Sequence, residues 1–289
     1  MIFQQLVNGL MLGSSYGLIA VGYSLIFGVM GLLHFAHGEV FMVGAFIALQ
    51  LVVLMHFNLP LAMLGAMTAT AFLGIGIAAI GFLSIKKEYV AAPLIATIGL
   101  GIIIQNLAIK IFGGDPVRFP ETVAFVTYRI GGVIINSLQI LTLCVTLALM
   151  ILLSLFIRNT KMGKAMRAAA ERPKTAGLLG VNYNKVVLVT FTIASALAGI
   201  AGVLTGLVSG TISPFMSGPA TLKGLVVMLM GGLGNLMGAV ICGMILGILE
   251  IFTVAYLSAS YRDSLTFVIL IMVLLLKPEG LFGVRLHGR

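Results

Sequence analysis

Between Met1 and Ile85 the sequence carries a single formally charged side chain, Glu39. A soluble chain holds about 25% charged residues and spreads them over its surface, so this stretch cannot be the exterior of a water-soluble fold. The full 289 residues are 60% hydrophobic and 9% charged, with a mean hydropathy of +1.19. Lipid must therefore be the solvent for much of the chain. In lipid every backbone N–H and C=O needs a partner inside the protein, which leaves helices and closed barrels. A barrel would show short segments of alternating polarity. The apolar runs here are long and unbroken, so helices are expected.

A spanning helix needs roughly 20 apolar residues. Runs of that kind place membrane helices at 6–30, 40–57, 60–84, 91–112, 137–157, 186–210, 236–257 and 262–277. The expected fold is all-α: one polytopic integral membrane domain over 1–289, with about eight transmembrane helices and broken or re-entrant segments. The apolar stretch 222–232 is too short to span and reads as re-entrant. The segment 158–185 carries Arg158, Lys161, Lys164, Arg167, Arg172, Lys174 and Lys185 against one acid, Glu171. Positive loops face the cytoplasm. Lys86 and Lys87 put the 85–90 turn on the same side, and the basic tail KPEGLFGVRLHGR joins them. The loop 113–136 has Asp115, Arg118, Glu121 and Arg129, which cancel, and is expected outside. Counting back from Lys86 puts the N-terminus outside. MIFQQLVNG lacks a basic n-region and leads into an apolar stretch too long for a signal peptide, so it should remain as the first membrane helix.

The net charge of +9 is thus charge in cytoplasmic loops, and no nucleic-acid partner is implied. Cys144 and Cys242 lie in apolar runs without disulfide or metal spacing and read as packing residues. Glycine recurs every fourth residue at Gly9, Gly13 and Gly17, at Gly202, Gly206 and Gly210, and at Gly243 and Gly247. Small residues at that spacing let helix backbones approach closely in lipid. The shared pattern in the first helix and in 186–210 also hints at an internal repeat.

Four places carry polar chemistry. In GLLHFAHGE, residues 31–39, His34, Phe35, His37, Gly38 and Glu39 interrupt two apolar helices. Such a break exposes helix ends that can meet a solute on a translocation pathway; the alternative is a polar turn at the inner interface, with His37 or Glu39 capping the next helix. The histidines and Glu39 are too few for a zinc site. A second break, MGGLGNLMG, offers Gly232, Gly234 and Asn235 as pathway residues, or else a tight turn between packed helices. Lys223 and Glu250 are isolated charges at membrane depth. Each can pair inside the bundle; snorkelling is the simpler reading of Lys223, and a structural hydrogen bond is favoured over a proton relay for Glu250.

The fourth place is cytoplasmic. MGKAMRAAAE is rich in helix formers and is stopped by Pro173, and KTAGLLG reads as a second short helix closed by Gly180. Two short helices with the small surface Ala168, Ala169 and Ala170 suit docking into a groove on a partner, against the alternative of a loop resting on anionic lipid. No GxxxxGK[ST] occurs, so the chain has no phosphate loop of its own.

These segments, GSSYGLIAVGYSLIFGVMGLLHFAHGE, MGKAMRAAAERPKTAGLLGVN, TLKGLVVMLMGGLGNLMGAVICGMILGILE and YRDSLTFVILIMVLLLKPEGLFG, together resemble the H-type permease of bacterial branched-chain amino-acid ABC importers, in family order and over nearly the whole chain. The resemblance implies a multi-pass protein of the bacterial inner membrane. It implies as partners a second related permease, two cytoplasmic ATPase subunits that bind ATP and Mg, and a periplasmic solute-binding protein. The chain itself would bind no cofactor and do no covalent chemistry. Coupling helices would lie in 163–180, with Gly163, Arg167, Ala169, Ala170, Glu171, Pro173 and Gly180 meeting the ATPase. Relatives of this type also import urea, short amides and aromatic carboxylates. The rival class is a secondary carrier or channel acting alone, with Glu39, Glu250 and the histidines binding protons.

Overall fold

A computed structural model describes residues 2–85, 91–120, 126–130 and 133–283. Lys86, Lys87 and Glu121, used above to orient the chain, lie outside the described residues.

The helices follow the apolar runs closely. They are α1 (Ile2–Met30), α2 (His37–Met55), α3 (Leu59–Ala78), α4 (Ala92–Phe112), α5 (Ser137–Asn159), α6 (Lys161–Glu171), α7 (Pro173–Leu178), α8 (Tyr183–Ser209), α9 (Ser217–Gly231), α10 (Leu236–Tyr256) and α11 (Arg262–Leu276). A π-helical turn, Ala79–Leu83, extends α3. Among the described residues, eight helical stretches are long and apolar enough to cross a membrane. Asparagines start four of the long helices: the Asn58, Asn136, Asn182 and Asn235 side chains accept from backbone N–H groups in the first turn. Those N–H groups have no partner within the helix, so each cap removes an unpaired donor.

α1 is the centre of the bundle. It is apolar on all sides and buried along most of its length, as expected of a helix surrounded by other helices. α10 runs antiparallel along it, and the contact is made by the glycine stripes. A Cβ on Gly13 would sit 2.5 Å from the Gly243 carbonyl oxygen and 2.5 Å from the Met244 Cα, and one on Gly243 would sit 2.6 Å from the Gly17 nitrogen. The backbones touch without intervening side chains, the arrangement small residues permit in lipid. α8 is the second buried helix, with Gly199 against Thr70 of α3 and Gly202 against the Phe41 carbonyl of α2. Gly210 does not continue that stripe; it ends α8 in the left-handed region at φ 68°. The faces of α3, α4, α5 and α11 that point away from the core present Phe72, Ile102, Ile151 and Leu275.

Two antiparallel ladders, not foreseen from the sequence, lie among the outer connections. β1 (Val117–Arg118) pairs with β4 (Thr211–Ile212), and β2 (Thr127–Ile130) with β3 (Val133–Asn136). Gln4 ties the start of α1 to β3: its side chain donates to the Ile134 carbonyl at 2.8 Å and accepts from the Ile134 N–H at 2.7 Å.

The short stretch 222–232 lies, but for Gly232, within a longer helix. It is part of α9, whose ends lie at different depths. Ser217 meets Gln105 of α4, two-thirds of the way to that helix's outer end. At the other end Gly231 packs on Gly238, and Met230 accepts from Leu281 in the tail, next to the inner end of α1 where Gly28 meets Gly234. An extended segment after α8, containing β4, carries the chain inward before α9 begins. Fifteen residues at 1.5 Å each, about 22 Å, then suffice to reach the inner face.

The α1–α10 contact makes a graded prediction. Gly13→Leu should destabilise the protein by more than about 3 kcal/mol, since backbone would have to move. Gly17→Ala adds a Cβ at an ordinary 3.4 Å from Val240 and should cost less than about 1 kcal/mol. Thermal unfolding in detergent, followed by size exclusion, measures both; equal effects would contradict the packing described.

Candidate functional site

The first break, 31–39, turns back into the bundle. Gly28 lies at the inner end, yet His37 sits against Gly22. Six residues of helix correspond to about 9 Å, so the connection climbs that far back before α2 begins. Gly31, in the left-handed region at φ 68°, starts the reversal. The expected alternative of a polar turn at the inner interface therefore does not hold: His34 and His37 are fully buried. His34 sits among rings, 5.0 Å from Phe191, 6.1 Å from Phe82 and 5.8 Å from His37. Neither of its nitrogens has a hydrogen-bond partner among the described residues. His37 packs edge-on to Tyr23 at 4.5 Å. The Phe35 N–H donates to the Thr97 hydroxyl at 3.3 Å.

Gly38 is pressed against Ser217 and Thr221 of α9, which fill the space a side chain would need. Glu39 lies in the first turn of α2, where a carboxylate favours the helix N-terminus. It folds onto its own backbone N–H and within reach of the Ser217 hydroxyl, with Gly101 at mid-length of α4 against it. Half of the capping expectation thus stands: Glu39 serves the helix start, whereas no side chain caps it from Ala36. The break joins α1, α2, α4, α8 and α9 at mid-depth.

The second break, 230–238, is closed by the chain's own tail. Gly232 (φ 98°) and Gly280 (φ 83°) meet backbone to backbone. The Leu281 N–H donates to the Met230 carbonyl and the Asn235 side-chain amide to the Phe282 carbonyl, each at 2.7 Å. Asn235 also accepts from the Gly238 N–H at 2.9 Å as cap of α10. Gly234 packs on Gly28. Geometry gives all three residues the alternative role considered for them, a tight turn between packed helices.

Lys223 and Glu250 meet. The Lys223 ammonium lies 2.8 Å from Glu250 Oε1, so Lys223 does not snorkel. Glu250, fully buried, also accepts from Arg262 Nε at 2.7 Å, from the Tyr16 hydroxyl at 2.9 Å and from the Thr266 hydroxyl at 2.8 Å. Arg262 and Lys223 both donate to the Tyr16 oxygen, at 2.7 and 3.1 Å. Lys223 further reaches Asp263 at 3.3 Å. Two cations and two anions cancel, and every oxygen of Glu250 is bonded, the conditions under which charge is tolerated away from water. The structural hydrogen bonding favoured for Glu250 is what the geometry contains. Arg262, Asp263, Tyr16 and Thr266 were not singled out from the sequence. Their signal was the scarcity of charge itself: an Arg-Asp pair opening a membrane helix needs partners.

α6 and α7 form the expected helix–breaker–helix unit around Arg172 and Pro173. Gly163, Met166 and Ala169 are buried against the ends of α1, α5 and α8. Thr160 caps α6 through the Gly163 N–H at 3.0 Å. Arg167, Glu171, Pro173 and Gly180 are exposed, and Ala170 is half-buried. Gly180 takes φ +85°, with open space around it. Next to it Leu178 and Leu179 are 89% and 80% exposed, two adjacent leucines on a face bordered by lysine and arginine.

Removing the acid from the buried cluster should be costly. Glu250→Gln leaves Lys223 and Arg262 without their anion and is expected to lower stability by about 3–5 kcal/mol. Asp263→Asn, at a 76% exposed side chain, should change it by less than about 1 kcal/mol. Thermal melts of the purified variants test this; a mild Glu250→Gln would mean that water reaches the cluster.

Residues 5–274 match a protein family described as the permease component of branched-chain amino acid transport systems. BraD of Pseudomonas aeruginosa, a high-affinity branched-chain amino acid transport system permease protein, is 38% identical over 97% of this chain and 95% of its own. LivH of Escherichia coli K12, described in the same words, is 36% identical over the same shares. LivM of that strain, another permease protein of the high-affinity branched-chain system, is 27% identical over 80% of this chain and 59% of LivM. The match covers the helical bundle, the α6–α7 hairpin and the buried cluster, and this multi-pass membrane protein belongs to the branched-chain amino acid transport permease family.

Proposed function

We propose that this chain is one of two membrane-spanning subunits of an ATP-driven importer that carries branched-chain amino acids across the bacterial inner membrane. Family membership supports the cargo. That LivH and LivM of one strain both resemble this chain supports pairing with a second, related permease. A periplasmic binding protein would deliver the amino acid from outside, and two cytoplasmic ATPases would hold ATP and Mg.

The observation that carries the coupling is the cytoplasmic hairpin. α6 is fixed to the bundle through Met166 and Ala169, while Leu178, Leu179, Glu171 and Gly180 face away from it. A rigid lever with an uncovered apolar tip is what a groove on a partner can grip. ATP binding closes the ATPase dimer and displaces the hairpin, and α6 passes the movement to α1, α5 and α8. The bundle then changes between inward-open and outward-open packings, driven by their differential stability. The α1–α2 break, with the unpartnered nitrogens of His34 at its centre, is where a change of packing meets least resistance, since few polar bonds have to be broken there. Such a subunit does no covalent chemistry. The rival reading as a lone proton-coupled carrier draws no support from Glu250, whose oxygens are committed to Lys223, Arg262, Tyr16 and Thr266.

Leu178→Asp with Leu179→Asp is expected to release the ATPases from the purified complex and to abolish import into proteoliposomes. Glu171→Ala and Gly180→Val should leave the complex assembled but uncouple ATP hydrolysis from amino-acid movement. Full import by all three variants, or import by this chain with no ATPase present, would refute the assignment.

A further inference from the structure

Above the buried charge cluster a cleft of about 110 Å³ opens between α9 and α11, toward the outer end of the bundle. Its polar end is formed by Lys223, Asp263 and Thr266, and its walls by Leu222, Val226 and Phe267. Leu222, Lys223 and Val226 come from α9 and Asp263, Thr266 and Phe267 from α11, so the two helices share the cleft.

The bonding within the cluster is uneven. Glu250 is enclosed and fully bonded. The contact between Lys223 and Asp263 is the longest of the three ion pairs, at 3.3 Å, and the one whose acid is exposed, by 76%. Exposed ion pairs of this kind are weak and readily exchanged. A molecule carrying both a carboxylate and an ammonium can insert into it: the ligand carboxylate takes the N–H of Lys223 released by Asp263, and the ligand ammonium takes Asp263. One exposed pair becomes two in series, and the net charge of the site stays zero. A singly charged ligand would leave a charge uncompensated next to Glu250 and is disfavoured. The Leu222, Val226 and Phe267 walls then accept an aliphatic side chain of a few carbons.

We propose that this cleft is a binding site of the permease for a free zwitterionic amino acid with an aliphatic side chain. The proposal rests on the importer reading and adds to it the residues that meet the solute on this subunit. A zwitterionic lipid headgroup presents the same pair of charges, and the test separates the two.

The experiment is equilibrium binding of radiolabelled leucine to the assembled complex without its binding protein, in nanodiscs made only of phosphatidylglycerol. Leucine should bind to the wild type. Asp263→Asn and Val226→Trp should each weaken binding about tenfold or more, while both variants elute as intact complexes. 4-Methylpentanoate and 3-methylbutylamine, which lack one of the two charges, should fail to compete. Binding by Asp263→Asn and Val226→Trp equal to wild type, in complexes that still import leucine, overturns the cleft and leaves the importer reading standing. Binding displaced by phosphatidylethanolamine but not by leucine or valine assigns the cleft to lipid and overturns the proposal as well. Leucine import by the wild type with no binding to the complex does the same.

Discussion

The contact on which the structure depends is the meeting of α1 and α10 through glycine. Gly13 and Gly17 against Gly243 and Gly247 bring two backbones together with no side chains between them. Between lipid-facing helices no hydrophobic force drives association, so close packing and polar bonds must supply it. This approach brings Tyr16 of α1 against Glu250 of α10 at 2.9 Å. A carboxylate so enclosed requires cations, and Lys223 of α9 and Arg262 of α11 meet it there. Four helices are thus fixed by one packing decision and its electrostatic consequence.

The other half of the bundle is built differently. α2, α3 and α8 pack through small residues and apolar side chains around Gly199 and Gly202, and the α1–α2 connection enters their midst carrying His34 and His37. There the polar groups are not paired as they are around Glu250. One side of the bundle is held by a closed set of charges, the other by apolar contacts and close backbone approach. The hairpin α6–α7 joins both sides, because α6 rests on the ends of α1, α5 and α8.

The long helices were legible to within a few residues at each end, because a run of about 20 apolar residues has few alternatives in lipid. The α6–α7 hairpin was legible for an equally local reason: helix formers, Pro173 and Gly180 act within a few residues. Only part of α9 was legible in 222–232, since its first turns from Ser217 are not apolar. The extended segment that shortens its path, and the β4 pairing with β1, involve residues nearly a hundred positions apart. Gly232, Gly234 and Asn235 had the composition of a pathway break, but the tail that fills their turn arrives from 277–283, and nothing in MGGLGNLMG announces it.

The sequence by itself determined that this chain lives in a membrane, roughly where its long apolar helices lie, and the kind of transporter it resembles. Each follows from quantities local in the chain: charge density, apolar run length, cap and breaker residues. Only the tertiary structure decided that Lys223 is paired, that Arg262, Asp263 and Tyr16 belong with it, that the first break returns to mid-depth, and that a charged cleft opens between α9 and α11. The physical reason is distance along the chain. Tyr16 and Arg262 are 246 residues apart, and a membrane leaves their ionisable groups no water to turn to, so partner choice is made by how the helices pack.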